Sequence, residues 1–286
     1  MRLVSYDRDG SLRHGRLDGS DVHELGDGDL LALLQDGFPL HVADLPPARA
    51  RYGVDEISLR APLTRPGKLL AAAANYQSHV TETGGAPLDK SALSPRLFLK
   101  PSTSVTGPGA AIELPELSKQ IDWEAELGVV IGRPVKDVAV ADALDAVAGY
   151  LCANDVSARS VDYGIARDTD DKAVWFFDWL AGKWFDGFAP LGPYLVTADE
   201  VPDPQDLAVR FERNGVLRQS GSTREMIFSV AELIAHASRL MTLEPGDIIL
   251  TGTPSGVGAA TGDYLSAGDR MAVTIGDLGT LDNELR

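Results

Sequence analysis

The 286-residue sequence has only one cysteine, Cys152, so no internal disulfide can form and a reducing compartment is expected. No stretch approaches the roughly 18 consecutive apolar residues that a membrane-spanning helix needs, and no signal-peptide core follows Met1. Basic residues are also few, since 26 Lys and Arg oppose 42 Asp and Glu and leave a net charge of −16. Binding to nucleic-acid phosphates or to an anionic membrane surface is therefore not expected. These features predict a soluble, acidic protein of the cytoplasm.

Several motifs of well-known active sites are missing as well. There is no H-x-x-x-H or C-x-x-C pair, which argues against a zinc site built from His or Cys. There is no G-x-S-x-G segment, so serine-esterase chemistry has no support. The glycine-rich stretch at residues 252–258 lacks both the P-loop lysine and the glycine spacing of dinucleotide-binding loops.

The N-terminal part has a character of its own. Short alternating runs are separated by Asp9-Gly10 and Asp18-Gly19, dipeptides that provide the positive φ angles of tight hairpin turns. This pattern predicts a small β-meander. Asp29 then caps a short leucine-rich helix that is expected to stop at Gly37.

The rest of the chain consists mostly of strand-like apolar runs. These lie at residues 68–74, 96–100, 123–131, 194–197, 207–212, 247–251 and 271–275. Helical periodicity is clear only at residues 144–151 and 230–241, the latter opened by the capping box Ser229-x-x-Glu232. Strands therefore outnumber helices without alternating with them. We predict an α+β, β-rich fold with a small N-terminal domain, residues 1–65, and a larger domain, residues 66–286.

Carboxylates are the first candidates for chemistry. If residues 122–130 form a strand, Asp122, Glu124 and Glu126 share one face, where they need water or a compensating cation. Mg²⁺ or Mn²⁺ would suit these oxygen ligands, and Asp155 at the end of a later apolar run could complete the set. A solvated acidic edge strand is the commoner explanation of an isolated E-x-E, and an aspartate that starts a turn is the commoner explanation of Asp155.

Three other segments could serve such a site. On a helical turn, Glu82 could orient His79 as an acid–base pair, and residues 83–94 resemble a loop able to close over a site. Lys183 lies among aromatic residues and could face an anion, and the glycine-rich loop could bind a carboxylate through its backbone N–H groups. Each has a plainer alternative, namely an exposed histidine, a solvated lysine and an ordinary turn.

Taken in order, these segments resemble the fumarylacetoacetate hydrolase family over residues 65–286. The matching segments are Asn75-Tyr76, His79-x-x-Glu82, Phe98-Leu99-Lys100-Pro101, Asp122-x-Glu124-x-Glu126-Leu127, Asn154-Asp155-Val156-Ser157-Ala158-Arg159, Lys183 and the stretch from Thr251 to Gly258. The resemblance implies a mixed β-roll fold and a homodimer.

The resemblance also implies roles for individual residues. Glu124, Glu126 and Asp155 would bind Mg²⁺ or Mn²⁺, His79 with Glu82 would activate water, and Lys183 would stabilise an oxyanion. Tyr76, Lys100, Arg159, Gly252 and Thr253 would contact the substrate or support the site. Two departures from the family pattern are Ala73-Ala74, where members usually carry Gly and a larger residue, and a longer stretch between Asp155 and Lys183 that includes the aromatic residues 175–179.

The expected activity is hydrolysis of a C–C bond in an acylpyruvate or related diketo acid through a metal-stabilised pyruvate enolate. Such a substrate could be an intermediate of aromatic or sugar catabolism. Decarboxylation of an oxaloacetate-like acid, and the isomerase or hydratase reactions of the same family, are alternatives. A cation-binding protein without catalytic activity is a further alternative from a different class.

Overall fold

The computed structural model describes residues 1–35 and 42–286. In these residues the strands are β1 (Arg2–Arg8), β2 (Ser11–Asp18), β3 (Asp21–Asp27), β4 (Ala50–Gly53), β5 (Ser58–Arg60), β6 (Leu69–Ala73), β7 (Arg96–Lys100), β8 (Val105–Thr106), β9 (Ala111–Ile112), β10 (Ile121–Asp122), β11 (Ala125–Ile131), β12 (Val147–Asn154), β13 (Ser157–Ala158), β14 (Ala189–Thr197), β15 (Ala208–Arg213), β16 (Val216–Ser222), β17 (Ile248–Leu250), β18 (Arg270–Ile275) and β19 (Thr280–Leu285). The α-helices are α1 (Leu30–Gln35), α2 (Gln77–Glu82), α3 (Lys172–Ala181) and α4 (Val230–Leu240). The prediction of a β-rich α+β fold is confirmed.

The first three strands form the predicted meander. β1 pairs with β2 and β2 with β3, and Gly10 and Gly19 adopt φ angles of 74° and 61° in the two turns. β1 also pairs antiparallel with β14, so the meander extends a sheet of the C-terminal part. Helix α1 follows Asp29 as expected, and its predicted end at Gly37 lies outside the described residues.

Two sheets make up most of the fold. The large sheet has the strand order β4-β3-β2-β1-β14-β12-β11-β17-β6-β7, with β5 paired to β1 and β8 to β14. The second sheet has the order β16-β15-β18-β19-β9. Both sheets are mixed, since β17 pairs parallel to β6 and β19 parallel to β9 while most other pairs are antiparallel.

The centre of the large sheet is buried on both faces. One face of β11 and β12 packs towards the second sheet and α4, where Trp123 stacks on Phe211 with ring centroids 5.0 Å apart. The other face packs against the meander strands and α1. All eight residues of β12 are buried, including the free Cys152, and burial raises the pKa of its thiol to about 12.

The prediction of a helix at residues 144–151 is wrong. This stretch is the end of a 3₁₀ turn, Val140–Ala146, followed by β12. A strand covered on both faces is apolar at nearly every position, so its sequence also satisfies a helical spacing.

The second predicted helix is confirmed as α4. Ser229 accepts a hydrogen bond from the Glu232 backbone N–H, and Glu232 accepts one from the Ser229 backbone N–H. Helix α3, which the sequence analysis missed, begins after the N-cap Asp171. No helix in the described residues is long and apolar enough to cross a membrane.

Candidate active site

A cavity of about 750 Å³ opens at the end of β6, β7, β11 and β12. Of the predicted site residues, those that line it are His79, Glu124, Glu126, Asp155, Arg159, Lys183 and Thr253. Glu82, Lys100, Gly252 and Tyr76 do not line it. The fold thus brings together seven residues that are spread over 175 positions of the chain.

Three carboxylates meet at the inner end of this cavity. Glu124 directly precedes β11, Glu126 lies on β11, and Asp155 directly follows β12, which pairs with β11 through Ala125 and Asn154. One oxygen of each carboxylate lies within 4.8 Å of the others, and all three side chains are buried. Asn154 fixes the backbone here, because its Oδ1 accepts a 2.9 Å hydrogen bond from the Glu124 N–H.

Asp122 belongs to a different arrangement. It lies on the short strand β10 rather than on β11, so the single acidic strand face expected from the sequence does not form. Its fully buried carboxylate accepts hydrogen bonds from the N–H groups of Trp123, Gly258 and Ala259 and from Arg159 Nε at 2.8 Å. Asp122 therefore anchors Arg159 and the glycine-rich loop.

Two buried lysines and the partly buried Arg159 balance the carboxylates. Lys183 Nζ lies 2.7 Å from Glu124 and 2.6 Å from Asp155, Lys100 Nζ lies 2.5 Å from Asp155, and the Arg159 guanidinium lies 2.6 Å from Glu124. Burial alone raises the pKa of Glu124, but Lys183 and Arg159 reverse this and hold it well below its usual range. Lys183 thus faces anions and not solvent.

The donor set fits a divalent cation. Among the described residues, no side-chain cation lies within salt-bridge distance of Glu126. Its carboxylate accepts a 2.7 Å hydrogen bond from the Gly252 N–H. Burial, and then the charges of Asp155 and Glu124, raise the pKa of Glu126 well above its usual value. A divalent cation would remove this repulsion, and three carboxylates suit Mg²⁺ or Mn²⁺.

The predicted histidine–carboxylate pair is present on α2. His79 Nδ1 lies 2.9 Å from Glu82 Oε1, and Glu82 Oε2 accepts a 2.7 Å hydrogen bond from the Gly256 N–H. Because an ionised carboxylate only accepts hydrogen bonds, Nδ1 carries the proton and Nε2 is free to accept one. Closure of residues 83–94 over the site stays a prediction.

The glycine-rich loop binds carboxylates of the protein itself. The N–H groups of Gly252, Gly256 and Gly258 donate to Glu126, Glu82 and Asp122 respectively. Gly252 has a φ angle of +90°, and a Cβ there would lie 2.8 Å from the Cβ of Asn75, so this position requires glycine.

Gln219 and Tyr76 are two further side chains that are fully buried. Gln219, which sequence reasoning missed, links the loop to β11 because it accepts from the Ala125 N–H and donates to Thr253 Oγ1 at 2.8 Å. No local motif distinguishes such a glutamine.

Tyr76 is fully buried, and within the described part of the chain its hydroxyl has no hydrogen-bond partner. A substrate contact of Tyr76 stays a prediction.

Aromatic side chains form the outer wall. Trp175, Phe176 and Trp179 of α3 line the cavity together with Phe98, and Phe98 meets Trp179 edge to face at 5.0 Å. Trp175 is 61% exposed and Phe176 is 47% exposed. These two side chains of α3 therefore do not pack in the core, where aromatic residues usually lie.

The chain is similar to known proteins over most of its length. The family described as fumarylacetoacetate (FAA) hydrolase C-terminal matches residues 68–286. A Xenopus laevis protein named oxaloacetate tautomerase fahd2, mitochondrial, is 43% identical over 229 residues, which cover 79% of this chain and 68% of the relative.

Two solved structures share the whole fold. Fumarylacetoacetate hydrolase from Exiguobacterium antarcticum is 34% identical, has a TM-score of 0.82, and is matched over 100% of this chain and 99% of that chain. Maleylpyruvate hydrolase from Sphingobium sp. SYK-6, in complex with manganese(II) ion and pyruvate, is 30% identical with a TM-score of 0.78, over 100% and 98% of the two chains. The chain therefore belongs to the fumarylacetoacetate hydrolase family.

Proposed function

We propose that this protein is a divalent-metal-dependent hydrolase that cleaves the C–C bond of an acylpyruvate. The observation that carries this proposal is that the three carboxylates and His79, whose ring is held by Glu82, line one cavity. The first group can hold a cation beside a 2-oxo acid, and the second can take a proton from water. An acidic surface patch without catalytic function would need neither burial nor a neighbouring base.

Glu124, Glu126 and Asp155 would hold Mg²⁺ or Mn²⁺, which when bound supplies a Lewis acid for the oxygens of a 2-oxo acid. Lys183 adds a donor of its own. Two of its three N–H bonds are directed to Glu124 and Asp155, so one is left for an oxygen of the substrate. Positive charge aimed at an oxygen where negative charge develops lowers the barrier.

Hydrolysis requires an activated water. His79 Nε2 takes a proton from water while Glu82 holds the ring by its Nδ1–H, and the resulting hydroxide adds to the distal carbonyl of the substrate. The bond between that carbon and the adjacent methylene then breaks. Its electron pair stays on the pyruvate fragment as the enolate, which takes up a proton to give pyruvate, and the acyl part leaves as a carboxylate.

The cavity wall supports a substrate with a sizeable acyl group. Phe98, Trp175, Phe176 and Trp179 present apolar surface beside the charged groups, and the cavity of about 750 Å³ exceeds the need of a four-carbon acid. An acyl chain or ring packed on this wall would add binding energy away from the reacting atoms.

A second candidate is tautomerisation of oxaloacetate. The Xenopus laevis relative with 43% identity carries that activity in its name. Enol and keto forms differ by the position of one proton, so His79 Nε2 could move it between carbon and solvent without an attacking water.

The test uses metal-stripped protein with and without Mn²⁺ or Mg²⁺. Loss of diketone absorbance, together with pyruvate production from a series of acylpyruvates, measures hydrolysis. Ketonisation of enol-oxaloacetate and CO₂ release are followed in parallel. We expect metal-dependent hydrolysis that falls by about 10²–10⁴-fold in His79→Asn and Glu82→Gln, because general-base catalysis contributes that much.

His236→Asn is the matched control. His236 lies on α4, outside the cavity, and its replacement should leave hydrolysis unchanged. Metal-dependent ketonisation without hydrolysis would establish the tautomerase instead, and CO₂ release alone would establish a decarboxylase. Full hydrolysis by His79→Asn would contradict the role of the histidine.

The proposal has further parts, of which the oligomeric state and the choice of metal can be tested with the same preparation. We propose a homodimer, a cytoplasmic location and an N-terminal domain that ends near residue 65. The oligomeric state is measured by light scattering, and titration with each metal distinguishes Mg²⁺ from Mn²⁺.

A further inference from the structure

We infer that Arg96 determines substrate specificity by binding a second acidic group, at the end of the substrate opposite the 2-oxo acid. The inference rests on the proposed function and deepens it. It would make the preferred substrate a diacid whose two ends are held by different parts of the cavity.

Arg96 differs from the other cations at the cavity because no carboxylate of the described residues lies within salt-bridge distance of it. Arg159 is bound by Asp122 and Glu124, and Lys183 by Glu124 and Asp155. The acidic group on the outer wall, Asp178, is already neutralised by two hydrogen bonds from Arg167 at 2.6 and 2.7 Å. Arg96, whose side chain is exposed, therefore provides a positive charge at the cavity that no carboxylate of the described residues matches.

Its position suits a substrate group rather than a structural one. Arg96 begins β7, where it lies opposite Ala73 of β6, and Ala73, Ala74 and Arg96 all line the cavity. Cross-strand partners point to the same side of a sheet, and methyl side chains fill little space. The small side chain of Ala73 thus leaves room beside Arg96, in the corner where this chain departs from the family pattern.

The chemistry of the rest of the cavity sets the class of ligand. A guanidinium binds a carboxylate through two parallel N–H···O bonds, a geometry that a neutral group does not satisfy. The same cavity is lined by Leu97, Phe98 and the aromatic residues of α3, which suit methylene or vinylene groups. The ligand class is a 2-oxo acid with an apolar linker and a terminal carboxylate.

The experiment measures binding rather than turnover. Dissociation constants of 2-oxoglutarate, 2-oxoadipate and 2-oxopimelate are determined with the Mn²⁺-loaded protein, and each is compared with the monoacid of equal chain length, such as 2-oxohexanoate. We expect the diacid to bind about 10-fold tighter at one chain length, as a charge-assisted contact at a partly solvated site provides. Arg96→Met should abolish this preference and Arg96→Lys should keep part of it.

Arg210→Met is the matched control, since Arg210 is an exposed strand arginine outside the cavity. It should bind both acids like the wild type. Equal affinity for diacid and monoacid at every length, or a preference that survives Arg96→Met, would overturn the role of Arg96 while hydrolysis of acylpyruvates still stands. If no 2-oxo acid binds, the proposed function fails and the role of Arg96 fails with it.

Discussion

Replacing Asp122 by Asn removes one negative charge and almost no volume from a fully buried position. We expect this change to lower both the stability of the protein and its affinity for metal. The reason is that Asp122 accepts four hydrogen bonds, two at Oδ1 from Trp123 and Gly258 and two at Oδ2 from Ala259 and Arg159.

The magnitude follows from these four bonds. Whichever way the new amide turns, its NH₂ replaces one oxygen, and two donors lose their acceptor. Each buried donor without a partner costs about 1–3 kcal/mol, so we expect the free energy of unfolding to fall by about 4 kcal/mol. Arg159 no longer faces a negative charge at residue 122 and therefore holds Glu124 less firmly, and such outer contacts change metal affinity by about 10-fold or more.

Urea unfolding followed by circular dichroism measures the first effect, and Mn²⁺ titration calorimetry measures the second. Asp247→Asn is a matched control, because Asp247 is an equally buried carboxylate that binds Lys68 and the Glu244 N–H and does not line the cavity. It should lower stability and leave metal affinity unchanged. If Asp122→Asn unfolds within 1 kcal/mol of the wild type, the hydrogen-bond argument is refuted.

Three further predictions concern other parts of the molecule. Ala74→Gly should raise the free energy of unfolding by about 0.5–1 kcal/mol, because Ala74 has a φ angle of 55°, and a lower melting temperature would contradict this. Burial lowers the pKa of His14, so stability should fall as pH drops below about 6.5, where the unfolded chain takes up the proton, and this slope should be weaker in His14→Gln. Mn²⁺ at about 100 times its dissociation constant should add about 2.7 kcal/mol of stability, and Asp155→Asn should abolish that gain in thermal unfolding.

Features governed by neighbours along the chain could be predicted from the sequence. The aspartate–glycine turns of the meander, the capping box of α4 and the one-turn spacing of His79 and Glu82 depend on contacts within a few residues. The order of the carboxylate, lysine and glycine-rich segments was sufficient for the family, because the types of side chain a metal and a 2-oxo acid need are few.

Tertiary structure decided what distant segments do to one another. Residues 147–154 form a strand because both of its faces are covered, and a periodicity of apolar residues does not report how many faces are covered. Asp122 anchors Gly258, 136 positions away, instead of joining the acidic triad, and the loop amides bind the protein's own carboxylates. The sequence does not single out Arg96, because what distinguishes this arginine is that no carboxylate of the described residues pairs with it. Such pairings, and such absences, arise only once the chain has packed, because buried charges are matched through space and not along the sequence.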